Sequence, residues 1–300
     1  MIRRIVTFFL VFCLCLLILS FAQSPRLTAL KADIEEYSRP ANGHLGVAAI
    51  LLETGETFSI NGTAHFPMQS VSKLPISMAA LKEVDSGKLK LDQRIAVTRR
   101  DVAPEPAHSP IRDQHPTGTH LTVDQLLEAT VSESDGTASD VLLRLVGGPG
   151  VVVDYLHSLD VQGISVENFE REIAQNESLL YENWSTPEQM IVLLRTLQEN
   201  RALSTDSSRR LLRLMTLTHG ASIRIRGDLR PGTPVAHKTG TSGLVNGLTA
   251  ATNDVGIVTM PNGHHVAMAI FISDSSADVV TRDSVIARIA RRIVDYYWGI

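Results

Sequence analysis

Ser70-Val71-Ser72-Lys73 opens an apolar, helix-forming run. Residues three apart on a helix share a face, so Ser70 and Lys73 would stand together while Ser72 points elsewhere. A serine hydroxyl is a weak nucleophile until a base takes its proton, and a neutral lysine can be that base. The N-terminus of the helix also favours negative charge developing beside it. Pro75 lies early enough in the run to be tolerated. Two further polar clusters follow, Ser134-Asp135-Gly136 between two helical patterns and Lys238-Thr239-Gly240-Thr241 in a strand after Pro231-Gly232. Taken singly, Ser134 reads equally as a helix cap and Lys238 as a solvated edge-strand lysine.

The elements that must position these residues are legible from periodicity. Leu27 to Tyr37 reads as an amphipathic helix, and Leu45–Leu52 and Thr57–Ile60 as a hairpin turning at Glu53-Thr-Gly-Glu56. From about Ser70 to Leu217 the pattern is mainly helical, clearest over Thr122–Val131, Thr137–Leu145 and Pro187–Gln198. Thr186-Pro187-Glu188-Gln189 has a capping threonine, proline in the first turn and glutamine at the reciprocal capping position. Strands return over Thr233–Thr241, Leu248–Met260 and His265–Ser273, the last two joined at Pro261-Asn262-Gly263, and Asp278–Trp298 reads as a closing helix. The economical architecture is α+β: one antiparallel sheet built from both ends of the chain, flanked by the terminal helices, with a helical region inserted between its halves.

At 300 residues, with 44% hydrophobic and 20% charged residues, the chain can bury a substantial core. Arg3 and Arg4, an apolar run from Ile5 to about Phe21 and the small residues of Ser20-Phe21-Ala22 predict a signal peptide over residues 1–22, the alternative for so long a run being an uncleaved membrane anchor. Cys13 and Cys15 both lie inside it, so the mature chain would have no disulfide and no thiol nucleophile. Cleavage also removes two arginines, taking the net charge from −4 to −6. An acidic chain without a long basic run argues against nucleic acid as partner. The histidines, His264-His265 included, show no metal-ligand spacing. Three Asn-x-Ser/Thr triplets, at Asn61, Asn176 and Asn183, match glycosylation acceptors, a short pattern that carries little weight by itself.

Serine-lysine on a helix start, Ser134-Asp135-Gly136 in an interhelix loop and Lys238-Thr239-Gly240 in a strand, in that order, resemble the penicillin-recognising serine enzymes. A fourth element points to their class A β-lactamase branch. That family sets a glutamate twenty residues before the methionine of a Pro-x-x-Met helix start, here Pro187-Glu-Gln-Met190, which selects Glu170. Glu167 and Glu172 are rivals; Glu172 has Asn176 four residues on, the family's glutamate–asparagine spacing. Gln69, Tyr181-Glu-Asn-Trp184 and His237-Lys-Thr-Gly-Thr-Ser-Gly243 are similar to the extended-spectrum PER and VEB types.

The resemblance implies a three-layer fold with domains at 23–64 plus 217–300 and at 65–216. It implies hydrolysis of a small-molecule β-lactam without a cofactor, by a monomer that is periplasmic or secreted and no longer membrane-bound. Ser70, Lys73, Ser134 and Glu170 would be catalytic, with oxyanion donors from the backbone of Ser70 and Thr241. Lys238, Thr239, Gly240 and Thr241 would hold the substrate carboxylate, helped by Arg224 or by Arg226. His108 would stand at an aromatic gate of the site or simply lie on the surface. Departures are Gly136 and Ala174, where the family has asparagines, and Asn168 and Asn183, where it has an arginine–aspartate pair closing a loop. They predict an atypical loop and a widened site. The alternative readings, a D,D-peptidase or a non-hydrolysing sensor, would lack the deacylating carboxylate.

Overall fold

The structure, a computed structural model, describes residues 25–218 and 223–299. The leader over 1–22, with Cys13 and Cys15, lies outside the described residues. In chain order the elements are α1 (Pro25–Ser38), β1 (His44–Leu51), β2 (Thr57–Ile60), β3 (Phe66–Pro67), a 3-10 turn (Gln69–Ser72) and α2 (Lys73–Asp85). Then come β4 (Arg94–Thr98), α3 (Pro110–Gln114), β5 (Gly118–Thr122), α4 (Val123–Val131), α5 (Gly136–Val146) and α6 (Pro149–His157). A loop region holds α7 (Glu170–Gln175), a 3-10 turn (Glu177–Tyr181) and β6 (Trp184–Ser185), before α8 (Pro187–Gln198) and α9 (Thr205–Thr216). The chain closes with β7 (Val235–Thr241), β8 (Leu244–Val245), β9 (Leu248–Thr249), β10 (Thr252–Thr259), β11 (His265–Ser273) and α10 (Val279–Trp298).

The main sheet has the order β2-β1-β11-β10-β7 and is antiparallel throughout. β1 pairs with β11 from His44 opposite Ser273 to Leu51 opposite Val266, so the two ends of the chain close one sheet. Strand side chains alternate between faces. Val47, Ala49, Met268 and Ile270 pack with Leu30 and Ile34 of α1 and Ile286, Ile289 and Ile293 of α10. Ala48, Ala269 and Phe271 join Met190 and Leu194 of α8 and Met78 and Leu81 of α2 on the other face. Burial on both faces explains why β11 is apolar almost without interruption.

Several details differ from the periodicity reading. β4 and β5 form a hairpin inside the helical stretch, in which only Ile95 and Val97 alternate inward. The expected strand Leu248–Met260 is broken after Thr249, and its first part pairs with β8 as a separate hairpin. Thr186 caps α8 by accepting from Gln189 N, but the Gln189 side chain accepts from Gln162 N instead of closing the reciprocal bond. Among the described residues, no helix is long and apolar enough to cross a membrane.

β1 passes tightly under β3. A Cβ on Gly46 would lie 2.2 Å from the Phe66 ring, which stacks on Phe271 at 5.7 Å between centroids. Overpacking such a contact costs ~1–3 kcal/mol. Gly46→Ala should therefore lower stability by that amount in denaturant unfolding. Adding Phe66→Leu, which removes ring atoms from the clash, should recover part of the loss.

Candidate active site

Ser70 lies on the 3-10 turn ahead of α2, not in the α-helix itself, and Gln69 before it takes a left-handed φ of 48°. A non-glycine residue rarely adopts that conformation, and when it does the surroundings must hold it there. Asn253 of β10 supplies part of that hold by donating from Nδ2 to the carbonyls of Pro67 (2.8 Å) and Met68 (3.1 Å). Gly240 of β7 supplies the rest, because it packs so closely that a Cβ would meet Met68 O at 2.3 Å and Ser70 N at 3.3 Å. Strand β7 thus runs against the turn that carries Ser70, and only glycine permits the approach.

Lys73 follows one turn later and is 1% exposed. Its Nζ donates to Ser70 Oγ at 2.7 Å and to Glu170 Oε1 at 2.5 Å. The serine–lysine spacing therefore closes as geometry, and Glu170 is the loop carboxylate that joins it. Its rivals are used elsewhere. Glu167 accepts from Ser165 Oγ at 2.6 Å, and Glu172 accepts from Phe169 N at 2.9 Å, at the start of α7.

On the other side of Ser70, Lys238 is fully buried and donates to Ser134 Oγ at 3.0 Å. It is not a solvated edge lysine. Ser134 is not the helix cap either: it has φ 60°, and Asp135 caps α5 by accepting from Ala138 N at 2.7 Å. Burial, together with the nearby Lys73 charge, pushes Lys238 down to about 7, while Asp254 and Glu170 pull it back up. Arg224 rather than Arg226 reaches this edge. It donates to Thr241 Oγ1 (2.8 Å) and to the carbonyls of Gly240 (3.1 Å) and Asn253 (2.8 Å), and is paired with Asp283 of α10 at 2.6 Å. Arg226 donates to Val235 O and Thr216 O. Lys73, Lys238 and Arg224 together suit an anionic ligand.

Glu170 is held from below by Asp140 of α5. The Asp140 carboxylate accepts from Glu170 N (2.7 Å) and Arg171 N (3.1 Å), capping α7 from outside the loop. Phe169, at the cap position itself, has no side-chain oxygen, so the cap must come from elsewhere. Burial and then the charge of Glu170 push Asp140 up to about 7. Asn183 ties the neck of the loop. Its Oδ1 accepts from Glu167 N and Asn168 N, and its Nδ2 donates to Asn168 O, so the two asparagines meet through backbone atoms. The Asn168 side chain turns instead to Glu182 Oε2 at 2.9 Å. Ala174 lies within α7. Gly136 donates its N–H to His108 O at 2.8 Å, and a Cβ there would meet Glu170 Cβ at 3.4 Å. His108 is exposed, with Nε2 against Glu133 O at 3.0 Å.

Asp140, Asn253, Asp283 and the buried His237–Asp254 pair are the residues that motif reading misses. Asn253-Asp254 does carry a signal, two polar residues side by side in an otherwise apolar strand. Asp140 carries a weaker one, four residues after Gly136 and therefore on the same helix face.

This arrangement has counterparts among known proteins. The pattern of the β-lactamase enzyme family matches residues 29–297. The chain belongs to the β-lactamase enzyme family. It is 39% identical to β-lactamase VEB-1 of Pseudomonas aeruginosa over 94% of this chain and 93% of that one. It is 36% identical to the extended-spectrum β-lactamase PER-1 of the same organism over 91% and 88%. A crystal structure of a β-lactamase from Chitinophaga pinensis DSM 2588 superposes with a TM-score of 0.87 at 42% identity, covering 90% of this chain and 99% of the other. Class A β-lactamases of known structure superpose on it too, and the chain is a class A serine β-lactamase, a hydrolase whose substrate is a β-lactam. The resemblance to the PER and VEB types read from the motifs therefore holds, as does the α+β fold class.

In this β-lactamase, Asp140 ties the loop to protonation. Between its ordinary 3.8 and about 7, the folded protein keeps a proton at Asp140 that the unfolded chain has released. Stability contributed by this group therefore falls as pH rises through that window. Asp140→Asn cannot titrate. Its melting temperature should fall less, or rise more, between pH 5 and pH 8 than that of the unmodified protein, in thermal unfolding at both pH values.

Proposed function

We propose that this β-lactamase opens penicillins and cephalosporins through an acyl-enzyme on Ser70, which a Glu170-activated water then hydrolyses. The observation that carries the reading is the single Lys73 ammonium bonded to both Ser70 Oγ and Glu170 Oε1. It gives the nucleophile's proton a route to a carboxylate. Either Lys73 takes that proton after passing its own to Glu170, or Glu170 takes it through a water. Ser70 Oγ then bonds to the lactam carbonyl carbon, and the oxyanion is met by the backbone N–H groups of Ser70 and Thr241. Ser134, hydrogen-bonded to Lys238, delivers its proton to the lactam nitrogen as the C–N bond breaks and is reprotonated by way of Lys73 with the proton Ser70 gave up, which leaves Glu170 a carboxylate for the next step. Lys238, Thr239 and Thr241 hold the substrate carboxylate, and Arg224 adds its charge through Thr241.

For the second half-reaction, Glu170 takes a proton from water as the water attacks the ester carbonyl, and Ser70 leaves with a proton returned through Lys73. Asp140 is a positioning residue for this step, since it fixes the backbone from which Glu170 projects. Gly136 packs tightly beside Glu170, since a Cβ there would lie 3.2 Å from His108 O and 3.4 Å from Glu170 Cβ, so the expected widening of the site has no support at this position. The His108 carbonyl, which accepts from Gly136 N, closes that position from the other side. The enzyme works as an exported monomer, with its leader cleaved near Ala22, in the periplasm or outside the cell.

Nitrocefin turnover by the mature protein tests the mechanism. Ser70→Ala should abolish turnover, and Glu170→Gln should reduce it at least a hundredfold while mass spectrometry finds the acyl-enzyme. A single stoichiometric burst by the unmodified protein would mean that Glu170 does not deacylate. The mechanism would then be that of a D,D-peptidase or a sensor.

A further inference from the structure

Beyond the catalytic residues, the loop that carries Glu170 is tied to the sheet at its far end. Tyr181 ends the 3-10 turn Glu177–Tyr181 and donates from its hydroxyl to Asp274 Oδ1 at 2.6 Å. Asp274 follows directly after β11 and adopts a left-handed φ of 51°. The residues around it form a rigid post. Ser275 exchanges backbone hydrogen bonds with Thr249 of β9 (2.8 and 3.0 Å), Ser275 Oγ donates to Ala41 O, and Ser276 N donates to Asn42 O at 3.2 Å. The β8–β9 hairpin and the end of the loop are therefore anchored to the same short segment. A cavity of about 350 Å³ lies between them, lined on the loop side by Leu180 and Tyr181 and on the hairpin side by Val245, Leu248 and Ala250. Tyr181, Val245 and Leu248 are 48%, 44% and 43% exposed, an apolar surface left open to solvent. The hairpin starts three residues after Thr241, so the cavity flanks the edge of the site where a substrate would lie.

We infer that the Tyr181–Asp274 hydrogen bond is a latch that fixes the width of this cavity and so sets the enzyme's preference for β-lactams with bulky, partly apolar acyl side chains. The inference rests on the β-lactam hydrolysis proposed above. Burial and the Asp274 contact push the Tyr181 phenol up to about 12, which keeps it protonated and able to donate at working pH. A hydrogen bond to a carboxylate contributes more than one between neutral groups. Holding the loop end in place preorganises the cavity, and a loosened loop would have to be ordered again each time a large side chain enters. Tyr181 and Asp274 thus act as positioning residues for the cavity walls and leave Ser70 and Glu170 untouched.

The test compares kcat and KM for benzylpenicillin and for a cephalosporin with a bulky oxyimino acyl group. Tyr181→Phe keeps the ring and removes the donor. Asp274→Gly removes the acceptor and suits a left-handed φ, so the fold is spared. Each should raise KM for the bulky cephalosporin three- to tenfold and leave kcat unchanged, with benzylpenicillin altered less than twofold. The double variant should be no worse than either single one, and Asp274→Asn, which keeps an accepting oxygen, should restore most of the loss. Amide hydrogen exchange over residues 177–182 should be faster in both single variants. Unchanged KM ratios would overturn the latch. So would an equal fall of kcat for both substrates with acyl-enzyme accumulating, because the tether would then act on Glu170. If the unmodified protein hydrolyses neither substrate, it is the proposed function that fails.

Discussion

A buried lysine is costly unless its charge is paired and hydrogen-bonded, and Lys73 is almost completely enclosed. Its partners are Ser70, three residues away on the same turn, and Glu170, ninety-seven residues further along. Removing either would leave an unpaired polar group in a dry place. The rest of the site exists to keep the two partners at that distance. Gly240 and Asn253 lock the turn that carries Ser70, and Asp140 and Asn183 lock the loop that carries Glu170. The pair proposed to do the chemistry is thus also a joint between the turn ahead of α2 and the loop that carries α7.

The same logic orders the second row of charges. Lys238 and Arg224 are both buried at β7, and each has counter-charges behind it: Asp283 on the last helix pairs with Arg224, while Asp254 and Glu170 offset only part of the burial that lowers Lys238 to about 7. Backbone carbonyls of β7 and β10 take up the remaining guanidinium donors. Under the proposed function, a substrate carboxylate arriving there would supply the negative charge that favours the protonated form of Lys238.

Much of this was legible in the sequence because it depends on local spacing. Ser70 and Lys73 meet through helical geometry, β11 shows its double burial as an unbroken apolar run, and the Pro-Asn-Gly turn fixes the hairpin between β10 and β11. The short β4–β5 hairpin was not legible, since its inward residues are too few to set a period. The β8–β9 hairpin did carry a local signal, Asn246-Gly247, with both residues at left-handed φ, but its strands are only two residues long and set no period.

What only the tertiary structure decided was how chemically equivalent residues are partnered, although the family spacing had already singled out Glu170. Glu167, Glu170 and Glu172 are alike in type and closely spaced, and so are Arg224 and Arg226. Which one faces the site depends on contacts with α2, β7 and α10 from distant parts of the chain. Asp140, Asn253 and Asp283 escaped motif reading because their roles are to satisfy backbone groups and charges on other elements, which have no signature at fixed sequence spacing. Sequence alone determined which side chains are available and which lie on a common helix or strand face, because those follow from the 3.6- and two-residue repeats of the backbone. Folding determined their partners, because an uncompensated buried charge or N–H is too costly to leave and only packing brings the compensating group within reach.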